Sequence, residues 1–223
     1  LTRGEPDEYR QDTLYGQWNF GAEGARFGAS LTASAVDLEY KNNRLETQFR
    51  DRDESLVSGR LYGRVMPKTR FFIELEQSDI EYDTIPLNGN KLDSDQQVAS
   101  LGLEWEVTDR TSGSVKFGRT EKDFDSSALV DADINSWEVE VAYSLRSYSN
   151  VFFSSSRTPV ETNGTGNFID SRTHSLFWEH EWSQKISTSV NYGVGTDDFD
   201  GSTRSDDLTN YGFGVNYSFD RWI

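Results

Sequence analysis

The sequence predicts an all-β protein, an antiparallel up-and-down transmembrane β-barrel. Three observations carry that expectation. Apolar and polar residues alternate with a period of two along most of the chain. The alternating segments run to about ten to thirteen residues, the length a tilted strand needs to cross a bilayer. The connections between them are short and long by turns.

The alternation is clearest in three segments. In 136–145, Trp137, Val139, Val141, Tyr143 and Leu145 share one face and Glu138, Glu140, Ala142 and Ser144 the other. In 97–107, Ala99, Leu101, Leu103, Trp105 and Val107 alternate with Ser100, Gly102, Glu104 and Glu106. In 210–219, Tyr211, Phe213, Val215, Tyr217 and Phe219 alternate with Gly212, Gly214, Asn216 and Ser218. A helix would scatter these side chains around its circumference, whereas a strand sorts them to one side. By this criterion eleven strands are expected, near 9–20, 26–40, 54–66, 70–82, 95–107, 111–123, 133–145, 149–158, 170–182, 186–197 and 207–219. Short connections fall at 21–25, 67–69, 108–110, 146–148 and 183–185, and long polar ones at 41–53, 83–94, 124–132, 159–169 and 198–206. Acidic–aromatic pairs close several strands: Glu39-Tyr40, Glu81-Tyr82, Asp123-Phe124 and Asp198-Phe199. The first three aromatics recur at an interval of 42 residues, which marks a repeated hairpin.

A soluble sandwich also alternates, but its strands are shorter and its loop lengths are not sorted by side. Composition separates the two. Only 35% of the 223 residues are hydrophobic and the net charge is −16, values typical of disorder, yet 13% are aromatic. A membrane barrel reconciles them, because its apolar face meets lipid and its interior is polar. An aromatic belt of Trp105, Trp137, Tyr143, Trp178, Trp182, Tyr192, Tyr211 and Tyr217 is expected on the apolar side. Long loops outside and short turns in the periplasm would set the direction, with a periplasmic turn at Asp220-Arg221-Trp222-Ile223. Bacterial single-chain barrels have an even number of strands. The expectation is therefore one domain over 1–223, an incomplete barrel truncated at both ends.

Composition also excludes functions. So acidic a chain repels phosphate, so nucleic acid is not an expected partner. Without cysteine there is no disulfide framework or thiolate, and two histidines cannot build a His-rich metal centre. No cofactor is expected.

Several motifs resemble those of a family of outer-membrane β-barrel porins associated with exopolysaccharide export. They are Phe152-Phe153-Ser154-Ser155-Ser156-Arg157-Thr158, Asn163-Gly164-Thr165-Gly166-Asn167-Phe168-Ile169-Asp170, Trp178-Glu179-His180-Glu181-Trp182-Ser183, Asp198-Phe199-Asp200-Gly201-Ser202 and Val215-Asn216-Tyr217-Ser218-Phe219-Asp220-Arg221-Trp222-Ile223. The likeness is best over 95–223. It implies residence in the outer membrane of a Gram-negative bacterium and passage of a polysaccharide. It also implies contact with lipid and lipopolysaccharide and coupling to periplasmic export components.

Parity places Arg60, Arg64, Glu74, Glu76, Glu104, Glu106, Lys116, Lys122, Glu138, Glu140, Glu179 and Glu181 on the lumen-lining face. An Arg or Lys on the lipid face near the midplane would cost about 2–4 kcal/mol. These charges are read either as the wall of a hydrated channel or as cross-strand ion pairs of a closed barrel. Same-face glutamates such as Glu104/Glu106 raise a glycosidase reading, but their recurrence on several strands fits wall lining. His174 and His180 share a face, while Ser175 points to the other, which argues against a hydrolase pair. Asp198 and Asp200 offer calcium-type oxygens as a weak metal candidate, without a complete binding-loop pattern. The sequence expectation is a non-enzymatic conduit. A structural or adhesive barrel with acidic outer loops is the alternative, and an outer-membrane hydrolase the distant third.

Overall fold

The computed structural model describes residues 5–22, 24–86, 89–108 and 110–219; the expected turn at 220–223 lies outside them. Eleven strands form one sheet in which each pairs only with its sequence neighbours. They are β1 Tyr9–Phe20, β2 Phe27–Tyr40, β3 Arg52–Met66, β4 Thr69–Tyr82, β5 Ser94–Thr108, β6 Thr111–Phe124, β7 Ala132–Arg146, β8 Ser149–Glu161, β9 Phe168–Ser183, β10 Ile186–Phe199 and β11 Ser205–Tyr217. All ten pairings are antiparallel. Among the described residues β1 and β11 are the sheet's two edges and do not pair with each other.

Each expected strand has its counterpart. The largest difference is at β8, which runs on from 158 to Glu161 because Val160 and Glu161 still pair with Ile169 and Phe168. The sequence gives no sign of the helical turn Arg44–Thr47 and the 3-10 turn Gln48–Arg50 between β2 and β3. Asn43 enters that turn in the left-handed region (φ 51°), and the buried Thr47 hydroxyl donates to the Asn42 carbonyl at 2.7 Å. Four residues are too few to print a 3.6-residue period.

The long-connection end is organised by one repeated device. Tyr40, Tyr82 and Phe124 are the last residues of β2, β4 and β6, and each backbone N–H donates to an aspartate just ahead of the next strand. The acceptors are Asp51 (2.8 Å), Asp93 (2.7 Å) and Asp131 (3.0 Å). Asp83 N–H and Asp125 N–H then donate to the carbonyls of Asp51 and Asp93, joining one hairpin top to the next. A cation stands over each ring: Arg50 over Tyr40, Arg52 over Tyr82 and Lys122 over Phe124. Arg204 caps Phe199, which ends β10, in the same way. The 42-residue interval is the spacing of this clasp.

The sheet curls. Tyr82 ends β4 and Glu161 ends β8, four strands away, a gap of about 19 Å in a flat sheet. Yet the Tyr82 hydroxyl donates to Glu161 Oε2 at 2.7 Å. The face between them is therefore concave. Under the long connections that concavity is filled by two small apolar clusters, Ile80, Tyr82 and Leu92, and Phe124, Ile134 and Phe168, with Leu129 packed against both. The connections 83–93 and 125–131 are thus not wholly solvated, as their polarity suggests; among the described residues Leu92 and Leu129 turn inward.

Space decides which glycines the sheet needs. A Cβ on Gly102 would lie 2.0 Å from the Phe72 ring, whereas one on Gly59 would meet nothing within 4 Å. Gly102→Ala is expected to cost about 1–3 kcal/mol from overpacking. Gly59→Ala is expected to be neutral or to gain up to about 1 kcal/mol. Guanidinium unfolding of the protein in detergent micelles, followed by tryptophan fluorescence, measures both.

Candidate functional site

The register divides the side chains between two faces. Arg60 opposes Glu74, Glu74 opposes Ser100, Lys116 opposes Glu138 and Glu140 opposes Ser154. Counted strand to strand in this way, eleven of the twelve charged residues singled out in the sequence fall on the concave face, and the twelfth, Glu106, lies in a register shift of β5 and lines the same cavity as Glu104 and Glu140. Trp105, Trp137, Tyr143, Trp178, Trp182, Tyr192, Tyr211 and Tyr217 fall on the opposite, convex face. There Phe71, Ile73 and Leu75 of β4 are all more than half exposed. Three of the indoles have a hydroxyl acceptor: Trp137 on Ser155 (2.9 Å), Trp178 on Ser149 (3.0 Å) and Trp182 on Thr188 (2.9 Å). A tryptophan so satisfied can meet apolar surroundings without an orphan donor.

The middle of the concave face carries a continuous ion-pair network. Arg60 on β3 bridges Glu74 on β4 (2.6 Å) and Glu104 on β5 (2.7 Å). Arg70 on β4 takes the second oxygen of Glu104 at 2.6 Å. Lys116 on β6 joins Glu74 (3.2 Å) to Glu138 on β7 (3.0 Å). Five strands are tied together by three cations and three carboxylates. Arg60 and Lys116 each bridge two carboxylates, the first through separate nitrogens of its planar fork and the second through one ammonium.

Towards the short turns the charge balance changes. A cavity of about 500 Å³ opens there, lined by Arg64, Arg70, Glu104, Glu106 and Glu140 among others. Among the described residues Glu76, Glu140, Glu179 and Glu181 make no ion pair, so the uncompensated charge of this face is negative.

At the other end part of the same face is buried. Lys122 is 1% exposed and pairs with Glu161 at 2.7 Å, whose second oxygen holds Tyr82. By parity Glu161 belongs to the convex side; as the last residue of its strand it turns in under the loops. On the convex side, carboxylates stand directly opposite one another across neighbouring strands, Asp12–Asp37–Asp53–Glu81 in one row and Asp79–Asp95–Asp123 in another. Like charges so placed repel. In the adjoining loop, burial and the carboxylates of Asp53, Asp51 and Asp37 hold the Asp83 carboxyl above its ordinary range.

The remaining sequence candidates make these contacts. His174 Nδ1 lies 2.9 Å from Ser155 Oγ, not from Ser175, which meets Ser154 on the concave face at 2.7 Å. Ser155 is itself buried beneath the Trp137 indole, and among the described residues no carboxylate contacts His174 to orient it. His180 is packed among the rings of Tyr148, Trp178 and Trp182. Asp198 pairs with Arg172 (3.4 Å) and Asp200 accepts from Asn167 (3.0 Å). Among the described residues no group of three or more acids or histidines could hold a metal ion. The residues that parity alone misses are Glu161, Leu92 and Leu129.

A family model described as "Putative beta-barrel porin 2" matches residues 3–223. No curated protein matches the chain. Among solved structures, the chain is similar to the NanC porin at 10% identity, with 93% of this chain and 99% of that one covered and a TM-score of 0.42. It is also similar to OmpT, an outer membrane protein of Vibrio cholerae, at 10% identity, with 97% and 99% covered and a TM-score of 0.47.

The two classes of ion pair predict different responses. Lys122→Met is expected to cost about 3–5 kcal/mol, because it strands a buried carboxylate, and Lys122→Met with Glu161→Leu to recover part of that loss. Arg119→Met, which breaks the exposed pair with Asp133, is expected to cost less than about 1 kcal/mol. Unfolding midpoints of the three variants against the parent test the ranking.

Proposed function

The chain belongs to the family described as "Putative beta-barrel porin 2", and on that premise we propose that its concave face lines a hydrated conduit for an exopolysaccharide leaving the cell. The chain is an outer-membrane β-barrel porin, and its location is the bacterial outer membrane. The observation that carries the reading is the sorting of charge by the register. Arg60, Glu74, Glu104, Lys116 and Glu138 all stand on one face, while the opposite face of the same strands carries Phe71, Leu101, Phe117 and Val139. One face suits lipid, the other water. The conduit needs no covalent step. It offers a polar wall whose central charges are neutralised in pairs and whose remaining acids are spread over several strands, so a polymer can slide along it without being held at one strong site. Periplasmic export components would deliver the polymer to the short-turn end.

A second reading is favoured by one observation, the packed clusters at the long-connection end with their buried Lys122–Glu161 pair. It is a closed barrel that serves as a structural or adhesive element, with its acidic loops against matrix or lipopolysaccharide.

Single-channel recording of the full-length protein in planar bilayers separates the two. The conduit reading expects an ion-permeable pore with a preference for cations, and in Glu140→Gln with Glu181→Gln that preference falls to about half. An ion-impermeable barrel would overturn it in favour of the structural reading. Deletion of the gene is expected to abolish surface polysaccharide while other outer-membrane proteins assemble normally.

A further inference from the structure

The concave face is not uniform. From β3 to β7 it is charged, whereas from β8 to β11 its middle is neutral. Two successive rows of directly opposed residues cross these last four strands. One is Phe152–Phe177–Asn191–Gly212 and the next is Ser154–Ser175–Gly193–Asn210. Together they cover a strip about 14 Å wide, with about 7 Å between rows.

The aromatic pair is the anomaly. On the charged half, the rings that share this face are covered, Phe72 by Arg60 at 4.2 Å and Tyr62 by Arg70 at 5.1 Å. Phe152 and Phe177 lie 5.9 Å apart, and among the described residues no cation stands over either ring. Phe152 is 45% exposed, and its concave-face neighbours along and across these strands, apart from Phe177, are serine, asparagine and glycine. An uncovered aromatic pair on a wet wall is an unmet contact surface.

Its surroundings define what would meet it. The Ser154 and Ser175 hydroxyls share one hydrogen bond at 2.7 Å, which leaves a donor and lone pairs over. Asn210 lies over Gly193, and Asn191 over Gly212, in each case where a Cβ would collide with the amide. The glycines let the two amides lie flat, so the strip is a smooth floor with hydroxyls and amides beside an apolar platform. A pyranose ring has the matching chemistry, with C–H bonds on one face and hydroxyls around its rim. Charge narrows the choice. The strip holds no ionised group, and the acids that border it, Glu140 in line with Ser154 and Glu179 and Glu181 towards the short turns, make no ion pair among the described residues. They would repel a uronate or sulfated chain.

We infer that the β8–β11 part of the concave face is a binding track for an uncharged polysaccharide, with Phe152 and Phe177 as its stacking platform and Ser154, Ser175, Asn191 and Asn210 as its hydroxyl partners. The inference rests on the conduit reading above and adds the polymer class and the residues that guide it.

The test is current blockade in full-length protein held in planar bilayers, with maltoheptaose as the uncharged probe and oligogalacturonate of equal length as the charged one. Maltoheptaose is expected to interrupt the current. In Phe152→Ala with Phe177→Ala its residence time falls by about tenfold, while the open conductance stays within about twofold of the parent. Phe177→Tyr, which keeps a ring, retains the blockade, and oligogalacturonate does not block. Equal blockade by both probes, or an unchanged residence time in the double alanine variant, overturns the track alone. A protein that passes no ions overturns the conduit reading on which the track rests.

Discussion

Unbroken pairing of each strand with the next in sequence is the constraint on which the rest of the structure depends. In hydrocarbon every backbone N–H and C=O must find a partner within the protein, and a meander pairs every strand between its two edges on both sides without a crossover. The register carries the second layer of information. A slip of one residue between β3 and β4 would move Glu74 and Arg70 to the apolar side and Phe71, Ile73 and Leu75 to the polar one. The Arg60–Glu74–Lys116–Glu138 chain of contacts exists only in the observed register, so it serves at once as a wall and as a check on pairing.

The concave face combines three environments along and around itself. A paired, charged band spans β3 to β7. An acidic mouth lies near the short turns, where Glu140, Glu179 and Glu181 stay unpaired among the described residues. A packed, nearly dry region lies beneath the long connections, where a lysine survives at 1% exposure because Glu161 accompanies it. The same side-chain types thus do different things according to the water they are left. The band's centre, Glu74, is as buried as Glu161 and is shared by two cations, whereas at the top the lysine itself is the group taken out of water.

Most of the fold could be read from the chain because the period-two signal in strands such as Ser136-Trp137-Glu138-Val139-Glu140 is nearly free of exceptions. The two faces followed from parity. What escaped had no period to reveal it. Leu92 and Leu129 are single apolar residues in polar loops, and nothing in their neighbours says that they turn inward. Glu161 sits where a strand ends and parity stops constraining direction. Within Val151-Phe152-Phe153 the apolar run hides alternation, so the exposure of Phe152 on the polar face had to be seen in three dimensions. Ser155, not Ser175, meets His174 because cross-strand neighbours, unlike sequence neighbours, share a face.

The clasp at the strand tops has a consequence for how such a wall can change. Tyr40 with Asp51, Tyr82 with Asp93 and Phe124 with Asp131 are the same joint made three times, each closing one hairpin, and the Asp83 and Asp125 N–H groups tie each hairpin top only to its neighbour. A joint of this kind is indifferent to how many copies follow it. Duplication or loss of one 42-residue hairpin would leave every remaining joint intact and alter only the circumference. Barrel width then becomes a quantity that evolution can step up or down two strands at a time, without redesigning the wall.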